Sequence, residues 1–515
     1  MRITAFFLII TLSVSLCSTI INIPDDYSTI QEGINVAVNG DTVLVADGTY
    51  TGAFNRELTW DGNEKHLTIK SENGPEYSLI DCQNSGRAFS FIETNQDSTD
   101  RIEGFTLING YISAGWEVYG GGSICCYNAS PIIINNIIRN NTVDEANGGA
   151  IFLYNSNSKV IGNNIKHNIA TYSGFPGACS GGGIYINSGS VVIKDNTIKN
   201  NHTISIDHES SAMGGGIFAY SAEVIIANNL IYNNGAHSGG FGSIGGGISL
   251  VYCTNESKII NNTIFYNFAE NGSGINCNRG QISQNIIVYN THDGLRCNWP
   301  THTALIEHNN VWGNQINYVN CSPEIGNTSW GFNSNGTACD SCFNISEDPF
   351  FVLNQNGDFF LSQIEAGQNA QSPCVNAGSG LPINYNLENY TTRTDLIYDE
   401  GIVDIGFHYL GFSPQNMDDE YIIKPFKYQL SNYPNPFNPS TTISFNLTTE
   451  IFEDIELIIY NIKGQKIRQF SIFNNKSSIV WDGRDSNNKQ VSSGIYFYKL
   501  KTDDFQQTKK MMLIK

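Results

Sequence analysis

Short apolar runs alternate with polar turn residues along residues 120–314, and the pattern repeats. One series sets glycines before an apolar run, as in GGAIFLY (148–154) and GGGIYIN (181–187). The other series sets asparagines around one, as in DNTIKNN (195–201). Both series recur every 20 to 33 residues and stay in phase. Self-similarity of this kind is typical of a solenoid, in which each repeat contacts its neighbours along the chain.

The residue types predict that each repeat consists of strands. The repeats are rich in Ile, Val, Tyr, Asn and Gly, and their apolar runs are three to five residues long. Both features favour β-strands over the helices of ankyrin-type repeats. We expect coils of short strands that stack in parallel at ~4.8 Å, with Gly and Asn at the corners. The expected inner columns are Ile124, Ile151, Ile184, Ile217, Ile248, Ile275 and Leu295, and Ile138, Ile165, Ile198, Ile231, Ile264, Ile287 and Val311.

Over about residues 24–320, these repeats resemble the right-handed parallel β-helix, or pectin-lyase-like, superfamily. Residues 27–50 are similar to the N-terminal cap of that superfamily, and Thr29 with Glu32 forms a capping box that predicts the start of a short helix. The apolar face of this helix is expected to contain Ile30, Ile34 and Val38. The GGAI and NN-x-I-x-N units also resemble, more weakly, the repeats of adhesin-like bacterial surface proteins.

The C-terminal region has a different pattern, with alternating apolar strands separated by Lys-Gly, Asp-Gly and Ser-Gly turns. This pattern predicts a small antiparallel sandwich. The succession of YPNPFNP, IYNIKGQ, WDGRDSNN, SGIYFYKL and KKMMLIK resembles the type A sorting domain of type IX secretion. The resemblance implies a diderm bacterium, passage through the periplasm, and export across the outer membrane by the type IX machinery. The cargo is then released or attached to the outer cell surface.

The expected fold class is all-β, namely a right-handed parallel β-helix solenoid with a short N-terminal capping helix, followed by a small antiparallel β-sandwich. Residues 5–12 form an apolar run that is typical of a signal peptide and too short to span a membrane. The expected divisions are a signal peptide (1–18), the β-helix (24–320), a closing segment (321–410), a linker (411–430) and the sorting domain (431–515). No later stretch is long and apolar enough to predict a transmembrane segment.

The charge of the chain bears on its partners and on the domain boundary. The net charge is −20 at pH 7. Residues 1–424 carry −24 and residues 425–515 carry +4, which supports a break between two domains. An acidic chain argues against nucleic acid as a partner, because phosphate backbones attract clustered Lys and Arg.

The chain has 12 cysteines, and their positions leave several interpretations open. Cys277 and Cys297 occupy the same position in successive repeats, so they can form a disulfide or remain a pair of stacked thiols. Past the repeats lie Cys321, Cys339, Cys342 and Cys374. The Cys339-x-x-Cys342 spacing is compatible with zinc or redox chemistry, but outside the cytoplasm structural disulfides are the better interpretation.

The closing segment contains an acidic group that bears on metal binding: Asp395, Asp399, Glu400 and Asp404. Carboxylate oxygens are ligands that Ca²⁺ prefers. A solvated turn after the last strand explains the same residues. We therefore expect no metal or other cofactor, with Ca²⁺ as the alternative.

Candidate binding residues come from the segments of variable length between each Asn series and the next Gly series. Consecutive coils place these segments side by side along one edge of the solenoid. The candidate ligand-binding residues are Trp116, Tyr119, Tyr172, Phe175, His202, Asp207, His208, Glu209, His237 and Phe241. Aromatic rings with carboxylates and imidazoles suit sugar binding, and the imidazoles also suit acid–base catalysis. Alternatively, these segments vary in length and their rings pack on one another.

Two classes of function fit these observations. The leading hypothesis is a secreted or cell-surface β-helix protein that binds glycans or acts as an adhesin. The alternative is an extracellular polysaccharide lyase or glycoside hydrolase that uses a loop-lined groove. A lyase needs a basic residue near the sugar, and Lys159, Lys194 and Lys258 are expected to stack near one another. They lack a repeating acidic neighbour, so no catalytic residue is assigned.

Overall fold

A computed structural model describes most of the chain, and the described residues are 18–113, 119–173, 177–206, 210–240, 242–297, 304–354, 357–411, 430–433, 435, 437–445, 455–463, 465–472, 478–486, 488–501 and 506–514. Residues 1–17 of the expected signal peptide and 412–429 of the expected linker lie outside them. The chain divides into two compact units. They are Met1–Val352 with Phe359–Ser413, and Leu353–Asp358 with Pro414–Lys515.

The first unit is a right-handed parallel β-helix with three long sheets, which we name A, B and C. In each full coil a sheet C strand follows the glycine corner, then a sheet A strand, then a sheet B strand.

Sheet A contains the strands Ile20–Ile23, Thr42–Val45, Thr68–Ser71, Arg101–Glu103, Ile132–Ile134, Lys159–Ile161, Ser190–Lys194, Glu223–Ala227, Lys258–Ile260, Gln281–Ser283 and Leu305–Glu307. Sheet B contains Gly48–Tyr50, Ser78–Asp81, Thr106–Ile108, Ile137–Arg139, Asn164–Lys166, Thr197–Lys199, Leu230–Tyr232, Thr263–Phe265, Ile286–Val288 and Asn310–Trp312. Sheet C contains Phe89–Ile92, Ile124–Tyr127, Ile151–Tyr154, Ile184–Asn187, Ile217–Tyr220, Ile248–Val251, Ile275–Cys277, Asp293–Cys297 and Ile316–Val319.

Both predicted inner columns are confirmed. The residues from Ile124 to Leu295 pair strand by strand in sheet C. Those from Ile138 to Val311 pair in the same way in sheet B. All of them are fully buried, and the apolar side chains of sheet A complete the core between the sheets.

The asparagines form two buried columns at the two ends of the sheet B strands. In the first column, Asn196 donates to Oδ1 of Asn229 from its backbone N–H and from Nδ2, both at 2.9 Å. Its Nδ2 also donates to the carbonyl of Val160 at 2.8 Å. Asn201 and Asn234 repeat this arrangement in the second column. Each amide therefore bonds to the coil before its own and to the coil after it, which explains why Asn recurs there.

The glycine corners have backbone conformations that other residues adopt only with strain. Gly181 has φ +68°, and a Cβ there would lie 2.5 Å from the carbonyl oxygen of Ile184. The next residue, Gly182, would place a Cβ 2.5 Å from the carbonyl oxygen of Gly215 on the following coil. Glycine is therefore required both for the turn and for the close approach of stacked backbones.

The N-terminal cap is an α-helix, Ile30–Val36, that begins at the predicted capping box. The Thr29 side chain accepts from the Glu32 backbone, while the Glu32 carboxylate accepts from the Thr29 N–H at 3.1 Å. Ile30 and Ile34 are buried as expected. Val38 is 47% exposed, because the helix ends before it and the chain turns away.

Two shorter parallel sheets, D and E, lie along the edge where coil length varies. Sheet D contains Tyr111–Ser113, Thr142–Asp144, Ile169–Tyr172, His202–Ser205 and Gly235–Ser238, and sheet E contains Ala178–Ser180, Ser211–Met213 and Ser243–Ile244. A second small core, mostly alanines, lies between them: Ile112, Val143, Ala146, Ala170, Cys179, Ala212, Ala236 and Ala269. The described parts of the variable segments therefore form strands that extend the coils.

The last residues of the first unit, 331–352 and 359–410, pack on the outer face of sheet B. Their elements are the strands Gly331–Phe332, Ala338–Cys339, Phe351–Asn354, Gly357–Leu361, Tyr390–Thr391 and Tyr409–Leu410, and the 3₁₀ helices Ile364–Ala366 and Pro382–Tyr385; a further 3₁₀ helix, Ala53–Asn55, lies near the N-terminus. Phe359 packs on Tyr232 and Phe265 with ring centroids 5.2 and 5.3 Å apart. Asn228 donates to the carbonyl of His408 at 2.9 Å.

The second unit contains two antiparallel sheets. One contains Leu430–Tyr433, Thr441–Phe445 and Ser478–Trp481, and the other contains Ile455–Asn461, Lys466–Ile472, Gly494–Lys501 and Gln506–Leu513. Its core surrounds Trp481, whose ring lies 5.5 Å from Phe437 and 5.1 Å from Tyr496. The predicted all-β fold is confirmed.

Candidate functional site

The structure describes four of the ten candidate binding residues, and they lie in different surroundings. Trp116, Phe175, Asp207, His208, Glu209 and Phe241 lie outside the described residues. Tyr172 packs against the alanine-rich core of sheets D and E. A Cβ at Gly177 would lie 2.1 Å from the Tyr172 ring, so this ring covers the backbone of its own loop.

His202 and His237 contact each other on the outer face of sheet D. Nδ1 of His202 lies 3.2 Å from Nε2 of His237. Gly235 pairs with His202 in the sheet, and a Cβ there would lie 2.5 Å from the His237 ring. Glycine at this position therefore lets the two imidazoles meet. His237 also stacks on Phe268 at 4.8 Å.

Burial determines the charge state of this imidazole pair. Burial, and then the charges of His237 and His167, lower the pKa of His202. Burial alone lowers the pKa of His237. Two neutral imidazoles satisfy each other when one ring N–H donates to the other ring nitrogen.

A row of basic side chains lies on the outer face of sheet B. Arg139, Lys166 and Lys199 occupy the same position on successive strands, and Tyr232 follows them. Burial, and then the charges of Lys199 and Arg139, lower the pKa of Lys166. Lys199 donates to the Tyr232 hydroxyl at 2.8 Å.

The prediction that Lys159, Lys194 and Lys258 stack on one another is wrong. All three lie on sheet A, but Val192 and Ile225 occupy the two positions between Lys159 and Lys258 in their row. Lys194 lies two residues further along its strand than Val192, so it belongs to another row.

The outer face of sheet C carries two rows of aromatic rings. Phe152 and Tyr185 form part of the first row, with ring centroids 5.1 Å apart and planes 11° apart. Tyr127 and Tyr154 lie in the second row, 4.8 Å and 12° apart. These separations follow the spacing of parallel strands, because residues in register bring their rings together.

Tyr119, one of the predicted residues, completes this aromatic surface. Its ring centroid lies 4.1 Å from that of Tyr127. The hydrogen bond between these two side chains raises the pKa of Tyr127. Together the rings line a cleft of about 370 Å³, whose residues are Tyr119, Gly120, Tyr127, Glu145, Ala146, Asn147, Phe152, Tyr154, Tyr185 and Asn187. We call it the aromatic cleft.

The polar groups of the aromatic cleft come from the start of a variable segment and from the end of a strand. Glu145 is held by Ser173, whose backbone N–H donates to the carboxylate at 3.0 Å. Asn147 accepts from the Ser180 N–H at 2.8 Å. Asn187 donates to the Tyr185 hydroxyl at 3.3 Å. These contacts fix the direction of each polar group while leaving further hydrogen-bonding capacity for a ligand.

Other clefts and clusters are less suited to binding. A cleft of about 450 Å³ in the closing segment includes Asn335, Glu347 and Asp348, and Phe350 is the ring among its lining residues. His66, Asp97 and Asp100 lie close enough together to hold a metal ion. The oxygens of buried Asp100, however, already accept from Trp60 Nε1 and from the Leu67 and Asp97 backbones, at 2.8 to 3.0 Å. The hydrogen bond to Asp100 raises the pKa of His66, which favours an ion pair there.

Three of the four acidic residues of the closing segment, Asp395, Asp399 and Asp404, have protein partners. Arg393 donates to both carboxylate oxygens of Asp395, at 2.9 and 2.7 Å. Nε2 of the fully buried His408 lies 3.1 Å from the Asp399 carboxylate. Asp404 is buried and accepts from the Asn376 N–H at 2.7 Å. Burial, and then the charge of Asp399, raise the pKa of Asp404 to about 7.

Comparison with known protein families separates the chain into the same two architectures. The family model described as the right handed beta helix region matches residues 124–311. The model described as the secretion system C-terminal sorting domain matches residues 431–515. The chain is a right-handed β-helix protein with a type IX secretion sorting domain.

The sorting domain determines where the β-helix protein goes. It indicates export to the cell surface or secretion, with the type IX secretion machinery as a partner. In the described part of the chain, no helix has the length and apolar character needed to cross a membrane.

Individual relatives add little to this assignment. Among solved structures, PorZ, an essential surface component of the type IX secretion system of Porphyromonas gingivalis, matches at 18% identity with a TM-score of 0.14. The match covers 17% of this chain and 11% of PorZ, so it spans about a tenth of that protein. No curated protein matches the chain.

Sequence reasoning missed most of the aromatic cleft of the β-helix protein because it searched the variable segments. The rings of Tyr127, Phe152, Tyr154 and Tyr185 lie on the regular strands. The signal was present in the aligned repeats ICCY, IFLY, IYIN and IFAY, where aromatic residues recur at the two outward positions. Alternation of inward and outward side chains along a strand is enough to place them on one face.

Proposed function

We propose that this exported β-helix protein binds glycans in the aromatic cleft on sheet C. The observation that carries the proposal is the pair of nearly parallel ring rows beside Glu145, Asn147 and Asn187. The apolar faces of sugar rings pack on aromatic rings, while sugar hydroxyls need directed hydrogen-bond partners. The cleft supplies both groups on rigid strands, which limits the entropy lost on binding.

Binding is favoured over hydrolysis by the composition of the cleft. Among its described lining residues Glu145 is the carboxylate, whereas most glycoside hydrolases use a pair of them. Export to the cell surface or secretion, which the sorting domain indicates, is compatible with a protein that holds polysaccharide or attaches to a neighbouring cell.

The test is a glycan array on the purified chain, followed by titration of the best ligand with variants. Tyr154→Ala with Tyr185→Ala should weaken binding ~10-fold or more, because each ring contact supplies about 0.5–1.5 kcal/mol. Tyr77→Ala is the matched control, since Tyr77 is 60% exposed and lies outside the cleft. An unchanged affinity in the double variant would remove the cleft as the binding site.

A second candidate, an extracellular polysaccharide lyase or glycoside hydrolase, is favoured by the imidazole pair of sheet D. Burial, and then the charges of His237 and His167, lower the pKa of His202, while burial, and then the charges of the basic row, lower the pKa of His167. Neutral imidazoles near cations suit proton abstraction from an anionic sugar. The test is release of unsaturated uronate from an acidic polysaccharide. Activity in the unmodified protein that is lost in His202→Gln would establish a lyase, and glycan binding would then no longer be the main function.

A further inference from the structure

Three cysteines form a column at the last coils of the solenoid. Cys277 and Cys297 pair in register on adjacent strands of sheet C, as the sequence predicts. Cys321 follows the final strand of that sheet, Ile316–Val319, which pairs with Asp293–Cys297. The Sγ atoms of Cys297 and Cys321 are 3.0 Å apart. A side-chain hydrogen bond also joins Cys297 to Cys277.

We propose that Cys297 and Cys321 form a disulfide in the exported protein, and that this bond closes the last coil of the β-helix. The segment between them contains one strand from each long sheet, namely Leu305–Glu307, Asn310–Trp312 and Ile316–Val319. The bond therefore joins the two ends of a complete coil.

Contact and exposure favour Cys321 over Cys277 as the partner of Cys297. Cys297 can form one bond, and its sulfur is in close contact with that of Cys321. Cys321 is half-buried, whereas Cys277 is fully buried. A half-buried thiol is the one that an oxidising protein can reach as the coil closes. Cys374 has a different partner, because its sulfur accepts from Asn310 Nδ2 at 3.1 Å.

The chemistry needs an oxidant, and export supplies the compartment in which such oxidants occur. The oxidant is the disulfide of a dithiol–disulfide carrier protein. The Cys321 thiolate attacks one carrier sulfur, forms a mixed disulfide and releases one carrier thiolate, which takes up a proton. The Cys297 thiolate then attacks Sγ of Cys321 and displaces the second carrier sulfur. Two electrons and two protons pass to the carrier, which leaves as a dithiol.

The position of the bond gives it a physical role. Each inner coil has a neighbouring coil on both sides. The strand Ile316–Val319 is the end strand of sheet C and pairs with one neighbouring strand, Asp293–Cys297. Such an end strand presents unpaired backbone groups and opens more readily than inner strands. A bond across the coil restricts the opened chain and so disfavours opening.

Peptide mapping of the secreted full-length chain tests the pairing directly. Free thiols are alkylated in denaturant before digestion with trypsin and endoproteinase Glu-C. Arg279 and Arg296 give tryptic cuts that separate Cys277 from Cys297, while Glu307 and Glu324 give cuts that isolate Cys321. We expect one cross-linked peptide that joins Cys297 to Cys321, with Cys277 alkylated. Alkylation of all three cysteines, or a majority of Cys277–Cys297 cross-link, would overturn the proposal.

Limited proteolysis of the folded chain tests the role of the bond. Reduction should accelerate cleavage after Glu307 by at least ~10-fold in the unmodified protein. Cys321→Ser should be cleaved rapidly with or without reductant, whereas Cys277→Ser, the matched control, should behave like the unmodified protein. Equal rates with and without reductant in the unmodified protein would contradict the role. The peptide map stands even if a variant fails to fold.

Discussion

Sheets B and C both carry aromatic side chains on their outer faces, but these side chains have different surroundings. On sheet B, Tyr232 and Phe265 are covered by Phe359 of the closing segment. On sheet C, Tyr127 and Tyr154 line an open cleft. The rows arise in the same way, because residues in register on parallel strands stack at the strand spacing.

The difference teaches that an aromatic row on a β-helix is not in itself a binding site. Rings under another part of the chain stabilise its docking, and their burial contributes to folding. Rings that line a cleft are open to solvent on the side away from the sheet, where a ligand can contact them. The covering segment therefore gives the sheet B row a structural role and leaves the sheet C row as the proposed binding surface.

Removing the ring that covers sheet B should have the largest effect on stability. Phe359 is 8% exposed and contacts two rings of sheet B. We expect Phe359→Ala to lower the free energy of unfolding by ~3–5 kcal/mol, through lost burial and the cavity left behind. Urea unfolding monitored by fluorescence measures this change, with Phe359→Leu as the milder control. A loss below ~1 kcal/mol would mean that the closing segment rests loosely on sheet B.

The covered side should also respond to pH through the buried Asp404. Its pKa is raised to about 7, so between pH 4 and 7 the folded state holds a proton that the unfolded state releases. Stability must then fall as the pH rises through this range. Burial alone would lower the pKa of His408, but the hydrogen bond and charge of Asp399 raise it, which acts in the same direction.

The matched variant for this pH dependence is Asp404→Asn. Because other carboxylates titrate in both proteins, the difference between their unfolding free energies isolates Asp404. We expect this difference to change with pH by on the order of a few kcal/mol between pH 4 and 8. Parallel pH profiles would show that Asp404 titrates as it does in the unfolded chain.

Removing a ring from the open row should cost much less stability. Tyr154 stacks on Tyr127 and is half-exposed. Tyr154→Ala is expected to lower the free energy of unfolding by ~1 kcal/mol, several-fold less than Phe359→Ala, since it loses a ring contact without opening a cavity. The same urea titration compares the two variants. Equal losses would erase the distinction between the two rows.

The smallest effect concerns the basic row on the outer face of sheet B. Arg139, Lys166 and Lys199 are like charges in register, which repel each other. We expect Lys166→Gln to raise the free energy of unfolding by ~0.2–1 kcal/mol in low salt, and by less at high ionic strength. A destabilising effect at both salt concentrations would show that packing of the Lys166 methylene groups stabilises the protein by more than the charge repulsion destabilises it.

The periodic part of the fold could be predicted because its residues face the same requirement in every coil. Ile198 fills the inner column, Gly181 adopts the positive φ of the corner, and Asn201 forms the hydrogen bonds of a buried corner. The closing segment has no such repetition. Its contact between Asn228 and His408 joins residues 180 positions apart, and no local pattern encodes that distance.

The candidate site was only partly predictable for related reasons. The contact between His202 and His237 depends on Gly235, which leaves room for one imidazole to reach back over its strand. The false stack of lysines arose because the sheet A strands were not aligned in the way the other two series were. Lys159 and Lys258 precede the inner residues of their repeats by six positions, whereas Lys194 precedes Ile198 by four. Tyr119 was found, but the rings beside it were taken as parts of regular strands.

The two asparagine columns make the length of this protein adjustable. Every amide bonds to the equivalent amide of the next coil, so a whole coil can be gained or lost while the columns stay continuous. Each added coil lengthens the solenoid by ~4.8 Å. Duplication of a segment such as 163–195 would therefore extend the solenoid by one coil, so the number of coils sets its length.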